Sequence, residues 1–259
     1  VIPGGSGKRL DEDVLIRPSR GRRDSDAASD LILGMTAAML ERLSSESGAR
    51  RVPVSGLGLS SAYEVRDGAD RPRLTLAGPF LGAPQAVLGL EKMIALGARR
   101  IWVTGWCGSL QPDLRIGDLV DPVDAVSDEG TSRHYPLQGP APTADSAMRK
   151  ALGSALKRRG LERRTGRIWS TDAVYRETRD RVQALGREGV LAVDMEMSAL
   201  LTVAAWRGVR LAALLVVSDE LAGSGWRPGF STRLLRDRER AAVDTVLEAA
   251  HSVESMSGT

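Results

Sequence analysis

Ile101-Trp102-Val103-Thr104-Gly105-Trp106-Cys107-Gly108-Ser109-Leu110 is the stretch from which the rest of the chain can be read. Its first four residues, apolar and partly β-branched, read as a short buried strand. The two glycines around Trp106 and Cys107 read as a turn that ends it. Working back, residues 84–96 form a helix with Val87, Leu90 and Ile94 on one face, and 74–77 a strand that runs into a Gly/Pro-punctuated loop. Earlier still lie a strand at 31–35 and a helix at 36–43. Working forward, Gly117-Asp118 introduces a strand through 126. Helices at 144–158, 177–187 and 195–206 then alternate with strands at 167–171, 191–193 and 211–217, and a helix at 233–251 closes the chain. Strands alternating with helices imply an α/β fold with a parallel or mixed sheet. No linker, repeat or low-complexity tract interrupts the run, so residues 14–259 read as one domain after an irregular segment at 1–13.

In such folds ligands gather outside the carboxyl ends of the strands. The segments to inspect are therefore 78–84, 105–109, 171–176, 194–196 and 218–220, each of which follows an apolar run and holds polar or Gly residues. Two other glycine-rich stretches carry no such weight. Gly4-Gly5-Ser6-Gly7-Lys8 has Ile2 and Arg9 where a phosphate loop needs Gly and a hydroxyl residue. Gly56-Leu57-Gly58-Leu59-Ser60-Ser61 lacks the third Gly of a dinucleotide fingerprint, and no clear helix follows it.

The 259 residues are 42% apolar and 27% charged, enough for a sizeable core without disulfide or metal staples. One Cys and two His exclude an intrachain disulfide and a structural zinc site built from those residues. No apolar stretch has the length of a membrane span and no signal-peptide pattern opens the chain, so the expected location is cytoplasmic, with no membrane partner. Basic residues number 36 against 33 acidic, and only Lys8, Lys92, Lys150 and Lys157 among them are lysines. Arg17, Arg20, Arg22 and Arg23 form one basic cluster and residues 157–167 another. The second reads as a solvated helix end, favoured by the helix dipole. With 4% aromatics and no recognition motif, nucleic acid is not an expected partner.

Taken in order, Gly105-Trp106-Cys107-Gly108-Ser109-Leu110 with Ile116-Gly117-Asp118, then Gly130-Thr131-Ser132-Arg133-His134-Tyr135, Val193-Asp194-Met195-Glu196-Met197 and Val217-Ser218-Asp219 resemble the nucleoside phosphorylase superfamily. That group contains purine nucleoside and uridine phosphorylases and the related nucleosidases. The resemblance spans about residues 70–250. It implies a three-layer α/β/α sandwich around a mixed, partly barrel-like sheet, assembled as a dimer, trimer or hexamer. It also implies cleavage of an N-glycosidic bond, with a nucleoside and inorganic phosphate as substrates and no metal or organic cofactor.

That chemistry needs a group to protonate or hydrogen-bond the departing base, and acceptors to hold the sugar as positive charge builds on it. By resemblance, Asp219 is the catalytic carboxyl at a purine N7, unless Ser218 and Asp219 merely cap the next segment. Met195 and Glu196 match the pair that holds the ribose, and His134 could reach its 5′ end or a subunit interface. The family usually has Glu at Asp194, which could equally be the N-cap of the following helix. Val174 stands where an aromatic often stacks on the base. Tyr175, Trp169 or Trp226 could replace it beside Ser218 and Asp219. Thr178 and Asp180 occupy the positions of the Gln and Arg that read uracil, which argues for a purine. At the acceptor site, made of Gly82, Gly105, Trp106 and Arg22, the match is poorest: Val103 and Trp106 replace an Arg and a hydroxyl residue. The superfamily's hydrolases have lost the same groups, so water is the alternative acceptor to phosphate. A nucleoside-binding protein without turnover is a further alternative. Cys107 reads as a packing residue, and no serine-nucleophile elbow accompanies either His.

Overall fold

The computed structural model describes residues 14–66, 72–223 and 225–256; the expected irregular segment at 1–13 lies outside them. The first half holds β1 (Asp30–Gly34), α1 (Ala37–Glu46), β2 (Arg50–Val52), β3 (Ser61–Val65), β4 (Leu74–Gly78) and α2 (Ala83–Leu96). The middle adds β5 (Arg100–Ser109), β6 (Leu119–Asp128), α3 (Ser146–Arg158), β7 (Arg164–Thr171) and α4 (Arg179–Arg187). The last part is β8 (Ala192–Asp194), α5 (Met197–Arg207), β9 (Arg210–Glu220), β10 (Arg227–Pro228) and α6 (Arg233–Met256).

All ten described strands join one mixed sheet in the order β10-β9-β6-β7-β8-β5-β1-β4-β3-β2. β9 also pairs with β5, which closes β9-β6-β7-β8-β5 into a five-stranded barrel. β5 is the hub. It runs parallel to β1 and β9 and antiparallel to β8. Its side chains alternate between two cores, as the period of a strand demands. Ile101, Val103 and Cys107 face the core shared with α2 and α5. Trp102 faces the core shared with α1, α3 and α6, and Trp106 packs on that side too. β9 repeats the pattern, with Leu211, Ala213, Leu215 and Val217 on one side and Ala212, Leu214 and Val216 on the other. Helices on both faces of the sheet give the three layers, and the chain has the α/β/α architecture expected of it.

Two features differ from the sequence reading. β5 does not turn at Gly105 but continues to Ser109, because two neighbours, β9 and β8, pair with its second half. The segment at 14–28, whose four arginines stand out in the sequence only as a basic cluster, is pinned down. Asp24 accepts from the backbone N–H of Gly21 and Ser55 and ion-pairs with Lys92 at 2.6 Å. Those donors outweigh burial and hold its carboxyl far below the ordinary range.

Candidate active site

The carboxyl ends of the strands meet at a cavity of about 510 Å³, a usual size for a small-molecule site. Each of the five segments singled out in the sequence sends residues to it. Phe80 and Leu81 follow β4, while Trp106, Cys107 and Gly108 come from β5. Val174, Tyr175 and Glu177 follow β7, Asp194, Met195 and Glu196 lie where β8 passes into α5, and Ser218 and Asp219 belong to β9. Met35, Thr36, Leu221, Trp226 and Phe230 complete the wall. No Lys or Arg among the described residues lines it.

Asp219 is placed by an irregularity in the ladder. β9 pairs Val217 with Cys107 and then Asp219 with Gly108, so Ser218 has no opposite number. Such a bulge re-aims the side chains beyond it. The Ser218 hydroxyl donates to Asp219 Oδ1 at 2.6 Å, and the Trp226 indole donates to Oδ2 at 2.8 Å. Asp219 thus lies within a strand, held by two donors, and does not start a helix. Gly108 is required opposite it, since a Cβ there would stand 3.1 Å from Asp219 Oδ2 and 2.5 Å from Leu221 Cδ1.

Glu196 sits at the first turn of α5, where its Oε1 accepts from the Gly82 N–H at 2.6 Å. Gly82 begins α2 at φ +81° and ψ 156°, a conformation essentially confined to glycine. Asp194 carries the arrangement of a cap. Its Oδ2 accepts from the N–H of Glu196 at 3.1 Å and of Met197 at 2.8 Å, and its Oδ1 from the Ser170 hydroxyl. The chain of bonds goes deeper. Ser198 donates its N–H to Ser170 Oγ and its hydroxyl to Glu129, and Glu129 also holds the N–H of Thr131 and Ser132. Burial pushes Glu196 well above the usual carboxylate range, with the neighbouring Asp194 adding to it. Burial likewise raises Asp194, against the pull of its donors. Glu177 is raised to about 7 by burial and by Asp219.

The structure does not bring the other expected residues together in the same way. His134 lines a second cavity of about 1010 Å³ with Arg133, Tyr135 and Asp172, not the one that holds Asp219. Arg22 is exposed and lines neither. Gly105 packs on Met35, where a Cβ would come within 2.9 Å of the Met35 side chain. Val103 is buried in the α2–α5 core. Trp106 lies in the cavity wall with its indole donating to Glu239 Oε1 at 2.7 Å and its ring 5.4 Å from Phe230. Of the candidate stacking residues, Tyr175 and Trp226 reach the cavity. Trp169 instead donates to Asp128 at 2.9 Å, with Arg181 over its ring. Thr178 caps α4 and Asp180 lies in that helix's first turn. Glu177 and Phe230 went unnoticed in the sequence. Glu177 lies only two residues beyond Tyr175, in a segment read for its positions 178 and 180. Among the described residues no group of three or more His, Cys, Asp or Glu side chains could hold a metal ion. None of the described helices is long and apolar enough to cross a membrane.

The profile of the phosphorylase superfamily matches residues 31–251, which include nearly all of every strand and helix described above. The chain belongs to that superfamily. Within it, the chain is 33% identical over 167 residues to a DeoD-type purine nucleoside phosphorylase of Bacillus cereus, covering 64% of this chain and 68% of that one. Two solved phosphorylase structures share the fold. A uridine phosphorylase from Vibrio fischeri superposes with a TM-score of 0.76 at 23% identity, over 87% of this chain and 92% of its own. A purine nucleoside phosphorylase from Toxoplasma gondii superposes with a TM-score of 0.80 at 20% identity, over 92% and 99%.

Proposed function

We propose that this protein cleaves the N-glycosidic bond of a purine nucleoside, with phosphate as acceptor, giving free base and ribose 1-phosphate. The observation that carries the reading is the presence of Asp219 and Glu196 in one cavity at the strand ends. Breaking the bond leaves electron density on the base and positive charge on the sugar. A carboxyl group at the base and a carboxylate at the sugar answer the two demands. Met195 and Glu196 would hold the ribose, Glu196 by charge-assisted bonds from its hydroxyls. Ser218 and Asp219 would meet the base, with Val174, Tyr175 and Trp226 against its faces. The use of Thr178 and Asp180 at the start of α4 and the name of the Bacillus relative support a purine. The scheme calls on neither a metal nor an organic cofactor, and we assign the enzyme to nucleoside metabolism in the cytoplasm.

The acceptor has a second reading, water, favoured by the absence of any Lys or Arg among the described residues of the wall. Phosphate is an anion and needs donors and positive charge. Gly82 already gives its N–H to Glu196, and the Trp106 indole is engaged by Glu239. For phosphate to bind, a second copy of the chain in a homo-oligomer would have to supply an arginine. Chromatography of a purine nucleoside incubated with the full-length protein, with and without phosphate, separates the readings. Base release that requires phosphate and yields ribose 1-phosphate is expected. Release indifferent to phosphate makes water the acceptor, and binding without turnover overturns the enzymatic reading altogether.

A further inference from the structure

One contact at Asp219 is not used by the scheme above. Each of its oxygens accepts a hydrogen bond, Oδ1 from the Ser218 hydroxyl and Oδ2 from the Trp226 indole. Ser218 is the preceding residue, whereas Trp226 lies seven residues further on, and the chain has to turn back to bring it there. That return is fastened on both sides of Asp219. β10 sets Pro228 opposite Asp219 and Arg227 opposite Glu220. The Arg227 guanidinium lies 3.4 Å from Glu220, and the Gly229 N–H donates to the Ser218 carbonyl at 2.9 Å. Burial does not account for the place of the indole, since Trp226 is 63% exposed. Its ring rests on Phe230 at 6.0 Å, Phe230 rests on Trp106, and the Trp106 N–H is tied to the buried Glu239 on α6. A row of three rings, anchored at one end, turns an N–H onto Asp219 at the other.

We infer that Trp226 is a positioning residue for the acid of the reaction: its indole N–H reserves Asp219 Oδ2 as an acceptor, leaves the proton to Oδ1, and stabilises the charge that the carboxyl acquires as that proton departs. The inference rests on the purine nucleoside reading above. The two donors differ in what they allow. The Ser218 hydroxyl has a second acceptor in the Cys107 carbonyl at 3.3 Å, so it can turn away from Oδ1. An indole N–H can only donate. In the step, the Asp219 O–H bond breaks and its proton passes to a ring nitrogen of the base as the C1′–N9 bond breaks. The electron pair of the C1′–N9 bond leaves with the base, and an oxygen of the acceptor closes on C1′. Asp219 ends as a carboxylate and regains its proton from solvent. A donor binds a carboxylate more strongly than a neutral acid, and one that is already in place need not be reorganised as the charge appears. The row of rings keeps the indole in place before the base arrives.

The test is a double-mutant cycle on the full-length protein: wild type, Trp226→Phe, Asp219→Asn and the pair, each on inosine and adenosine. Phe keeps a ring against Phe230 and removes the N–H. The position is largely exposed, so the variant should fold, which circular dichroism and Tm would verify. Trp226→Phe should lower kcat by on the order of 10-fold, the worth of a hydrogen bond to a charged group, while KM stays within about threefold. In the Asp219→Asn background the same change should move kcat by less than about twofold, because a residue that acts through another is not additive with it. On 7-methylinosine, whose base already carries positive charge and leaves without protonation, Trp226→Phe should keep the wild-type rate. A kcat on inosine unchanged in Trp226→Phe overturns the inference. An equal fall in both backgrounds, or on inosine and 7-methylinosine alike, would mark a structural role and overturns it too. So does a rise in KM alone, which would make the ring a wall against the base and nothing more. All these outcomes leave the nucleoside reading intact. Wild type inert on inosine and adenosine would instead remove that reading, and the inference with it.

Discussion

Replacing Asp194 separates a structural carboxylate from a sugar-binding one. In the structure this side chain is buried, holds two N–H groups at the start of α5 and accepts a hydrogen bond from the Ser170 hydroxyl. Asp194→Ala removes an N-terminal cap, a loss of about 0.5–2 kcal/mol. It also leaves the fully buried Ser170 hydroxyl without its acceptor, a loss of about 1–3 kcal/mol. Relief of the repulsion between Asp194 and Glu196 offsets part of this, so a net fall of about 2–4 kcal/mol is expected. In a domain of this length that lowers Tm by on the order of 10 °C. Asp194→Asn keeps an acceptor of the same size for the two N–H groups, and the Ser170 hydroxyl can turn to accept from the amide, so it should lose much less. Removing the charge beside Glu196 also lets that carboxyl ionise at lower pH, and the acid limb of the rate profile should move down in both variants. Differential scanning fluorimetry and nucleoside kinetics over a pH series read all three effects. The reasoning is refuted if Asp194→Ala melts within about 2 °C of wild type while KM for the nucleoside rises tenfold, because Asp194 would then be a sugar ligand and no cap.

Two further outcomes follow from the same corner of the cavity. Glu196 and Asp194 both titrate higher in the folded chain than an unfolded carboxyl, so their contribution is fully present below the ordinary carboxylate range and is lost as pH rises through the folded values. Glu196→Gln should therefore flatten the decline of stability between about pH 5 and 8 in denaturant titrations, and a slope as steep as wild type would count against the buried charge. Gly82→Ala meets open space, its Cβ coming no nearer than 3.9 Å to Pro84. The backbone at φ +81° should nevertheless cost about 1–3 kcal/mol. The variant should lose a few degrees of Tm and bind nucleoside more weakly, since a backbone that shifts to relieve the strain turns its N–H away from Glu196; unchanged KM would show that this bond does not orient the carboxylate.

β4, the first half of β5 and most of β9 were legible because each carries a mainly apolar run buried on both faces, and such a run needs no partner to be recognised. β2 and β3 were not. Their residues include Arg50, Arg51, Glu64 and a half-buried Tyr63, and the pairing that makes them strands places Glu64 between Arg50 and Arg66. A buried Glu neutralised by two arginines looks from the sequence like a polar loop. The end of β5 was misjudged for a related reason. Gly105 and Gly108 are there because Met35 and Leu221 crowd the strand, a tertiary constraint that leaves the same mark as a turn. Met195, Glu196 and Asp219 follow apolar runs directly, so their meeting could be foreseen from strand order alone. His134 and Arg22 depended on the path of long connections, and the structure sends both elsewhere.

The charge of the cavity ties the departure of the base to the choice of acceptor. Glu177, Asp194, Glu196 and Asp219 all line it, with no cation among the described residues of the wall. A site that gathers carboxyl groups favours a positively charged sugar, because each ionised one lowers the energy of the oxocarbenium-like centre more than that of the neutral nucleoside. The same groups repel an anionic acceptor. Neutral water suffers no such repulsion, whereas phosphate needs the wall to lose charge or gain a cation. Burial and the neighbouring carboxyl groups hold back ionisation of Glu177, Asp194 and Glu196, which lessens that repulsion. Arg133 and Lys92 line the second cavity and not this one, so the missing cation has to come from beyond the described wall. Phosphate dependence that rises with protein concentration, as copies associate, would fit that requirement, and phosphorolysis by a dilute monomer would contradict it.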